Sequence, residues 1–338
     1  MKKKVMMTLK TTSFPWEGLD LPRDQKKCLV RLVANDVNPE ERRIFWARTW
    51  NGRPALLVEC PNAHRKSTKL PKFKKLAVTD CEDESGSFLL IELLDLEMQS
   101  FFHKVCLDII SKLQRVSEQA FRRVCLLRLD LWSSFLRPSR SRMSFEQQKG
   151  LIAELLFLKR NAFAIFSVDD ALDAWTGPEA AHKDFSFGQT FVEVKSKGGA
   201  ASSSITISSE RQLSINPTED LFLFVVELNP APDGAKDALS ISDVVQGVSD
   251  VLESPIQQVI FETKLARAGF FDEDEYSDMK WTEGATSYYC VTDNFPKIDL
   301  RSCVPGVEGV SYRVNLNFCE QFKIERAVLL ETVGASNV

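Results

Sequence analysis

Hydrophobic residues in the first hundred positions come in short runs that alternate with polar positions. The segments CLVRLVAND (28–36), RIFWARTW (43–50) and ALLVEC (55–60) are typical of strands, and Asn51-Gly52 between the last two favours a hairpin turn. GSFLLIELLD (86–95) is a further apolar stretch that fits either a strand or the start of a helix. The pattern predicts a β-rich N-terminal domain over residues 1–97.

The spacing of apolar residues changes to three and four positions from about Met98. FFHKVCLDIISKLQ and EQAFRRVCLLRLDLWSSFL both carry an apolar face at this spacing, which indicates two helices. The polar segment RPSRSR (137–142) ends the second helix and has the composition of a linker. We therefore expect a helical connector over residues 98–143.

Helical and strand-like segments follow one another in the remaining chain, residues 144–338. SFEQQKGLIAELLFLKRNA (144–162) predicts a helix, and Ser144 with Gln147 fits a capping box at its start. LFLFVVEL (221–228) is apolar throughout except for one glutamate, as in a central strand covered on both faces. Because two helices are predicted after it, around 241–253 and 255–268, this part is expected to be an α/β (α+β) domain.

Charge is distributed unevenly along the 338 residues, although the formal net charge is only −4. Residues 1–150 contain 28 Lys and Arg against 18 Asp and Glu, and the remainder contains 15 against 29. A basic first part suggests a polyanionic partner, and two solvated surfaces of uneven charge are the alternative. No run has the length of a membrane helix and no apolar segment follows the basic start MKKKVMMTLK, so we expect a cytoplasmic protein that does not contact a membrane.

Cysteine and histidine give little support to zinc or iron–sulfur chemistry. The eight cysteines include no CxxC pair, and the three histidines are not paired at ligand spacing. Cysteines such as Cys106 and Cys125 lie in apolar runs, where cysteine acts as a small core residue.

The segment HKDFSFGQTFVEVKSK (182–197) places two acids and a lysine in a predicted hairpin. Alternate side chains share one face of a strand, so Glu193 and Lys195 project together, and a turn at Gly188-Gln189 brings Asp184 to the same side. Two carboxylates held close repel each other, and a divalent cation such as Mg²⁺ or Mn²⁺ removes that repulsion. The alternative is an ordinary solvated strand pair, since acid–x–lysine triplets also occur elsewhere in this chain.

Glu154 interrupts the apolar face of the predicted helix 144–162, where its neighbours at three and four residues are glycine, leucine and phenylalanine. A carboxylate is costly to bury on such a face unless something pairs with it. A metal site beside the sheet would provide the partner, and an edge position near Lys159 or Arg160 is the alternative.

Glu154 on a helix, Asp184, and Glu193-Val-Lys195 together resemble the motif of the PD-(D/E)XK nuclease superfamily. The wider chain resembles one branch, the bacterial "PD-(D/E)XK motif protein" family of genomic defence islands. The matching words are FWARTWNGRPALLVE, GLIAELLFL, the Trp175-Thr-Gly-Pro stretch, FVEVKS, VTDNFPKI and GVSYRVNL, which cover nearly the whole chain. The chain departs from the motif at Lys183, which stands where proline is usual.

The resemblance implies a restriction-endonuclease-like core over residues 144–338, with a mixed sheet flanked by helices. It also implies that Asp184 and Glu193 hold Mg²⁺ or Mn²⁺ together with the Val194 carbonyl. Lys195 would orient the attacking water or help to deprotonate it, and Glu154 would be an auxiliary acid.

Candidate DNA contacts come from basic residues, because phosphate binding needs positive charge and no base specificity. These residues are Arg65, Lys66, Lys69, Lys72, Lys74 and Lys75 in one cluster and Arg137, Arg140 and Arg142 in another. Gln212 and Arg211, which follow the strand after the hairpin, are further candidates for contact with the substrate. For all of them, an exposed loop or helix start is the alternative.

Two hypotheses of function follow from the sequence. The first is a metal-dependent DNA endonuclease of an anti-phage or restriction-type system. It would act on DNA, with partner ATPase or helicase subunits or as a homodimer. The alternative is a catalytically silent subunit with a nuclease fold, which binds DNA or assembles a defence complex without cutting.

Overall fold

The computed structural model describes residues 14–24, 28–34, 36–38, 40, 42–61, 70, 73–135, 142–199, 203–232, 234–272, 274, 276, 278–298, 304 and 306–335. The chain divides into two compact units, Met1–Leu136 and Arg137–Val338. In the described part of the chain, no helix is both long enough and apolar enough to cross a membrane.

The first unit contains an antiparallel sheet with two helices against it. Its strands are β1 (Cys28–Leu32), β2 (Ile44–Thr49), β3 (Pro54–Glu59), β4 (Leu76–Asp83) and β5 (Gly86–Leu93), in the order β1-β2-β3-β5-β4. The strand-like segments of the sequence are confirmed, and 86–95 is a strand rather than the start of a helix. β2 and β3 form the predicted hairpin, with Gly52 at a φ of +81° in the turn.

The two helices of this unit are α1 (Gln99–Leu113) and α2 (Phe121–Phe135). They lie within the segment 98–143 and pack against the sheet through aromatic rings and polar contacts. The ring centroids of Trp46 on β2 and His103 on α1 are 5.6 Å apart, and Arg122 on α2 forms an ion pair of 3.0 Å with Asp80 on β4. The helices and the sheet therefore share one core.

The second unit is built on a mixed sheet. Its strands are β6 (Phe185–Phe187), β7 (Thr190–Lys197), β9 (Asp220–Pro230), β10 (Trp281–Cys290) and β12 (Lys323–Ile324), in the order β12-β10-β9-β7-β6. Only β7 and β9 pair in parallel among these described strands. β8 (Ser204–Ile207) and β11 (Tyr312–Asn315) form a separate two-stranded sheet.

The helices of this unit are α3 (Phe145–Phe157), α4 (Phe163–Ile165), α5 (Val168–Ala174), α6 (Ile241–Ser249), α7 (Pro255–Ala268) and α8 (Arg326–Ala335). The capping box predicted at Ser144 and Gln147 starts α3. After α3 the backbone widens into a π-helix over Leu158–Ala162. The helix predicted over 144–162 is therefore helical throughout but not α-helical at its end.

The central strand β9 explains how the mixed sheet is covered. On one face, Phe224 packs against Phe157 of α3, with ring centroids 5.3 Å apart. On the other face, Leu223 and Val225 are buried in an apolar cluster that β8 and β11 share. A strand covered on both faces is apolar throughout, which confirms the interpretation of 221–228. The expected fold class, a mixed sheet flanked by helices and preceded by a β-rich region, is confirmed as well.

Candidate active site

The two acids and the lysine of the motif share one face of the hairpin. β6 and β7 pair with Phe185 opposite Val192, and the same register places Asp184 opposite Glu193. The turn lies at Gly188-Gln189, where Gly188 has a φ of +63°, a value that favours glycine. Because residues opposite each other share a face, the pairing directs Asp184 and Glu193 to the same side of the sheet.

Glu193 is the most deeply buried member of the group. Its residue exposure is 0 %, and neither carboxylate oxygen has a partner in hydrogen-bonding geometry. Lys195 Nζ lies 2.7 Å from Oε1, so the two side chains form an ion pair by distance. Burial, followed by the charge of Asp184, raises the pKa of Glu193 to about 8 although Lys195 opposes the shift. The ionised carboxylate is therefore left short of positive charge.

Asp184 is held at the start of β6 by the backbone of β7. Its Oδ2 accepts a hydrogen bond of 2.7 Å from the amide of Val194, a residue of β7 that lies just beyond the last residue paired with β6. Burial raises the pKa of Asp184, against the opposing effects of Lys195 and the Val194 amide. The carboxylate is thus fixed beside Glu193 and is itself partly uncompensated.

Glu154 reaches the same group from α3, on the other face of the sheet. Its Oε2 accepts a hydrogen bond of 2.7 Å from the indole of Trp175, which lies beside β6 in an isolated bridge to Phe185. Burial raises the pKa of Glu154 well above its ordinary value, and the negative charge of Asp184 adds to this effect. Glu154 therefore interacts electrostatically with Asp184, and its role at the site stays a prediction.

A close approach at Gly177 brings Glu154 and Asp184 together. A β-carbon on Gly177 would stand 2.8 Å from Glu154 Oε2 and 3.2 Å from Asp184 Oδ1. The Gly177 amide also donates a hydrogen bond of 2.9 Å to the Asp184 carbonyl. A side chain at this position would therefore push the two carboxylates apart, which gives a physical reason for glycine in the Trp175-Thr-Gly-Pro stretch.

Lys195 is held between the acids and the loop that follows β8. Its Nζ donates to Gln212 Oε1 at 3.1 Å, and the same oxygen accepts the Ser208 amide at 2.8 Å. Burial lowers the pKa of Lys195, but the charges of Glu193 and Asp184 outweigh burial and raise the pKa above its ordinary value. The ammonium therefore stays protonated beside the two carboxylates.

The two candidate substrate contacts occupy different environments. Gln212 supports Lys195 through its amide oxygen, a contact that the sequence did not predict. Arg211 is exposed, and its guanidinium lies 3.4 Å from His182 Nε2. Their contact with a substrate stays a prediction.

Lys183, which stands before Asp184, ties the same loop to the hairpin. Its Nζ donates to three backbone carbonyls, those of Arg211 at 2.6 Å, Gln212 at 2.7 Å and Ser214 at 2.7 Å. Burial lowers the pKa of Lys183 to about 8, with Glu193 opposing the shift. In the sequence Lys183 stands out only as a departure from the motif, because the carbonyls it binds lie 28 to 31 residues away.

We expect Lys183→Met to lower the free energy of unfolding by about 2–4 kcal/mol, since it removes three charge-assisted hydrogen bonds to part-buried carbonyls. Chemical denaturation at pH 7 measures this change. The matched control is Lys323→Met. Lys323 Nζ lies 3.9 Å from Glu320 Oε2, and both side chains are exposed. That control should change stability by less than about 0.5 kcal/mol. Equal effects of the two variants would show that the three carbonyls do not depend on Lys183.

The acidic group offers the type of ligand that Mg²⁺ and Mn²⁺ prefer, namely carboxylate oxygens. Among the described residues, however, no three His, Cys, Asp or Glu side chains already lie close enough to hold a metal ion. Each carboxylate already has a partner: Glu154 accepts a hydrogen bond from Trp175, Asp184 accepts one from the Val194 amide, and Glu193 pairs with Lys195. The buried Glu193 carboxylate, which has an ion pair with Lys195 and a second acid opposite it, fits a cation, and the acids would have to turn toward a shared ion.

Most of the candidate DNA contacts fall outside the described residues. Lys74, Lys75 and Arg142 are described, whereas Arg65, Lys66, Lys69, Lys72, Arg137 and Arg140 are not. Lys75 forms an ion pair of 2.8 Å with Asp95. Arg142 pairs with Asp278, and its guanidinium lies 5.3 Å from the centroid of the Tyr276 ring.

Comparison with known proteins supports the interpretation of the motif. No curated protein and no solved structure matches the chain. The sequence model of one family, DUF4420, matches residues 13–317, and its description is "Putative PD-(D/E)XK family member". The match includes Glu154, Asp184, Glu193 and Lys195 and extends across both structural units. The chain therefore belongs to the DUF4420 family of PD-(D/E)XK proteins.

Proposed function

We propose that this protein is a metal-dependent DNA endonuclease that acts in an anti-phage or restriction-type defence system. The observation that carries the proposal is the Glu193 carboxylate, which is fully buried opposite Asp184 and is paired with Lys195 at 2.7 Å. Family membership adds a nuclease-like origin. A buried acid that is poorly compensated, beside a second acid and a lysine, is typical of a functional site.

Asp184 and Glu193 would hold Mg²⁺ or Mn²⁺, with the carbonyl of Val194 as a further ligand. The cation would make a bound water far more acidic and would stabilise negative charge on the phosphate during hydrolysis. The Val194 amide holds the Asp184 carboxylate beside Glu193, and the acid side chains would turn toward the ion when it binds.

Lys195 would orient the attacking water through its ammonium group, which Gln212 keeps in place. A protonated Lys195 beside the acids also stabilises the negative charge that develops on the phosphate oxygens. Glu154 would be an auxiliary acid at the rim of the group. Since burial raises its pKa well above the ordinary value, its carboxyl can serve as an acid or base through water.

The second candidate function is a silent subunit that binds DNA or assembles a defence complex. The absence of a ready-made group of three metal-ligating side chains among the described residues favours it. The three acids and Lys195 are nevertheless all present, and each interacts electrostatically with another member of the group. Cleavage separates the two functions because both predict binding to DNA.

The partners proposed for the protein follow from its charge and its family. The two basic clusters would contact phosphates, as would be expected from the 28 Lys and Arg among residues 1–150. A partner ATPase or helicase, or a second copy of the chain, would complete the defence system.

A plasmid-nicking assay on the full chain tests the proposed activity. Supercoiled DNA should be converted to nicked and linear forms with Mg²⁺ or Mn²⁺, and excess EDTA should stop the reaction, because the acids need a cation to act on a phosphodiester. DNA binding without any cleavage in either metal would support the silent subunit instead.

A further inference from the structure

A pocket of about 330 Å³ lies beside the acidic group in the described part of the second unit. Glu154 and Gly177, which border the acids, also form part of its wall. The other lining residues are Met143, Gln147, Gly150, Leu151, Pro178, Ala180, Arg267 and Ala268. The pocket and the acids are thus neighbours that share a wall.

The wall combines apolar surface with a cation. Met143, Leu151 and Pro178 supply flat or flexible apolar area, while Arg267 adds a guanidinium that lies 3.2 Å from Glu179 Oε1. A nucleobase needs apolar contact for its two faces, and an adjoining phosphate needs positive charge. The volume lies at the lower end of the range of about 300–1,000 Å³ for small-molecule sites, which suits one base with part of its sugar.

We propose that this pocket takes the nucleobase next to the cleaved phosphodiester, turned out of the base stack. The inference rests on the proposed nuclease function and specifies its substrate class. Since Glu154 and Gly177 line the pocket and Gly177 also lies against Asp184, a phosphodiester at Asp184 and Glu193 leaves the adjoining base within reach of the pocket. A base inside a duplex must unpair and unstack before it can enter, whereas an unpaired base can enter at little cost. DNA with unpaired nucleotides at the cleavage position is therefore the preferred substrate.

Gly150 provides a way to fill the pocket by a single substitution at a residue that is not one of the acids. It lies four residues before Glu154 on α3, so the two residues lie on the same face of the helix. Apart from its two chain neighbours and the backbone of its own helix, a β-carbon on Gly150 would have no atom within 4 Å. Gly150→Leu should therefore occupy the pocket, and Gly150→Ala is the matched control because it adds only one carbon.

The experiment measures binding with oligonucleotides that carry 2-aminopurine, a base whose fluorescence rises when it leaves the stack. A single strand, a duplex with an unpaired flap and a continuous duplex of the same sequence are titrated in the presence of Ca²⁺. The unpaired substrates should bind the unchanged protein more tightly than the duplex does. Gly150→Leu should weaken their binding at least about tenfold, since the leucine excludes the base. Gly150→Ala should stay within about twofold of the unchanged protein.

Equal affinity of Gly150→Leu and Gly150→Ala for the flap substrate would overturn the inference, as would tighter binding of the continuous duplex. The proposed nuclease function is tested separately, by cleavage of the same three substrates with Mg²⁺. If the cleavage rate does not depend on the flap and is unchanged in Gly150→Leu, the protein is a nuclease but the pocket does not bind its substrate. Base-selective binding without cleavage would support the pocket and contradict the nuclease.

Discussion

Replacing Glu193 by glutamine is expected to abolish metal-dependent cleavage and to stabilise the metal-free protein at alkaline pH. The amide removes one of the two proposed metal ligands. Because catalytic residues that act together lose most of their effect when one is removed, cleavage in the plasmid assay should fall roughly 10³-fold or more. Glutamine has nearly the same shape as glutamate, so the packing of β7 against β9 should be preserved. The same variant should lose the increase in melting temperature that Mg²⁺ gives the unchanged protein.

The effect on stability follows from the direction of the pKa shift. The ordinary value is 4.5, and burial together with Asp184 raises the pKa of Glu193 to about 8 in the folded chain. Between these two pH values the folded protein binds a proton that the unfolded chain has already released. Its free energy of unfolding therefore falls as the pH rises, by up to about 1.4 kcal/mol per pH unit. Glu193→Gln removes this contribution, so the melting temperature measured in EDTA should decline less between pH 5 and pH 9.

Glu227 provides the matched control for this measurement. It lies on the neighbouring strand β9 and forms an ion pair of 2.5 Å with Lys197, whose interaction lowers the pKa of Glu227. A lowered pKa stabilises the folded protein above the ordinary pKa, so Glu227→Gln should leave the decline between pH 5 and pH 9 unchanged and should not raise stability at pH 9. If Glu193→Gln behaves in the same way, the Glu193 carboxylate is compensated in the folded protein and the main argument for the site fails.

The fold could be predicted from sequence wherever burial imposes a period on the chain. The run 221–228 needs apolar side chains on both faces because Phe157 lies against one face and the β8–β11 cluster against the other. The hairpin that positions Asp184 and Glu193 follows from strand alternation and from a turn of two residues, both of which are local. These features depend on neighbours that are close along the chain.

The supporting contacts of the site depend instead on residues that are far apart in sequence. Lys183 reaches carbonyls on the loop after β8, and the Trp175 indole reaches Glu154 across 21 residues. Nothing in the local pattern indicates which carbonyl or ring a side chain will meet. For Gln212, the sequence predicts a position after a strand. Its contact with Lys195 could not be predicted because it depends on how the loop folds. The π-helix at Leu158–Ala162 was similarly hidden, because the apolar spacing continues through it.

Replacing Lys195 by methionine should separate metal binding from cleavage. Methionine keeps the unbranched apolar stem as far as Cε but removes the ammonium that lies 2.7 Å from Glu193 Oε1. Cleavage should fall at least about 10²-fold because the positioned charge beside the attacking water is lost. Affinity for Mn²⁺, measured by calorimetric titration, should stay the same or increase, since the ammonium and a divalent cation repel each other at the same carboxylates.

The thermal stability of this variant distinguishes a working site from a structural one. Without metal, Lys195→Met leaves the buried acids with less positive charge. Breaking a buried ion pair lowers the free energy of unfolding by about 3–5 kcal/mol. Protonation of Glu193 makes this loss smaller near neutral pH. Added Mn²⁺ should restore more stability to the variant than to the unchanged protein, because it replaces the missing cation. Lys197→Met is the matched control on the same strand, where the lysine pairs with Glu227 outside the acidic group, and its cleavage should stay within about threefold. If the variant loses both Mn²⁺ affinity and cleavage, Lys195 holds the metal ligands in place. If it cleaves at the unchanged rate, the hairpin is not the active site.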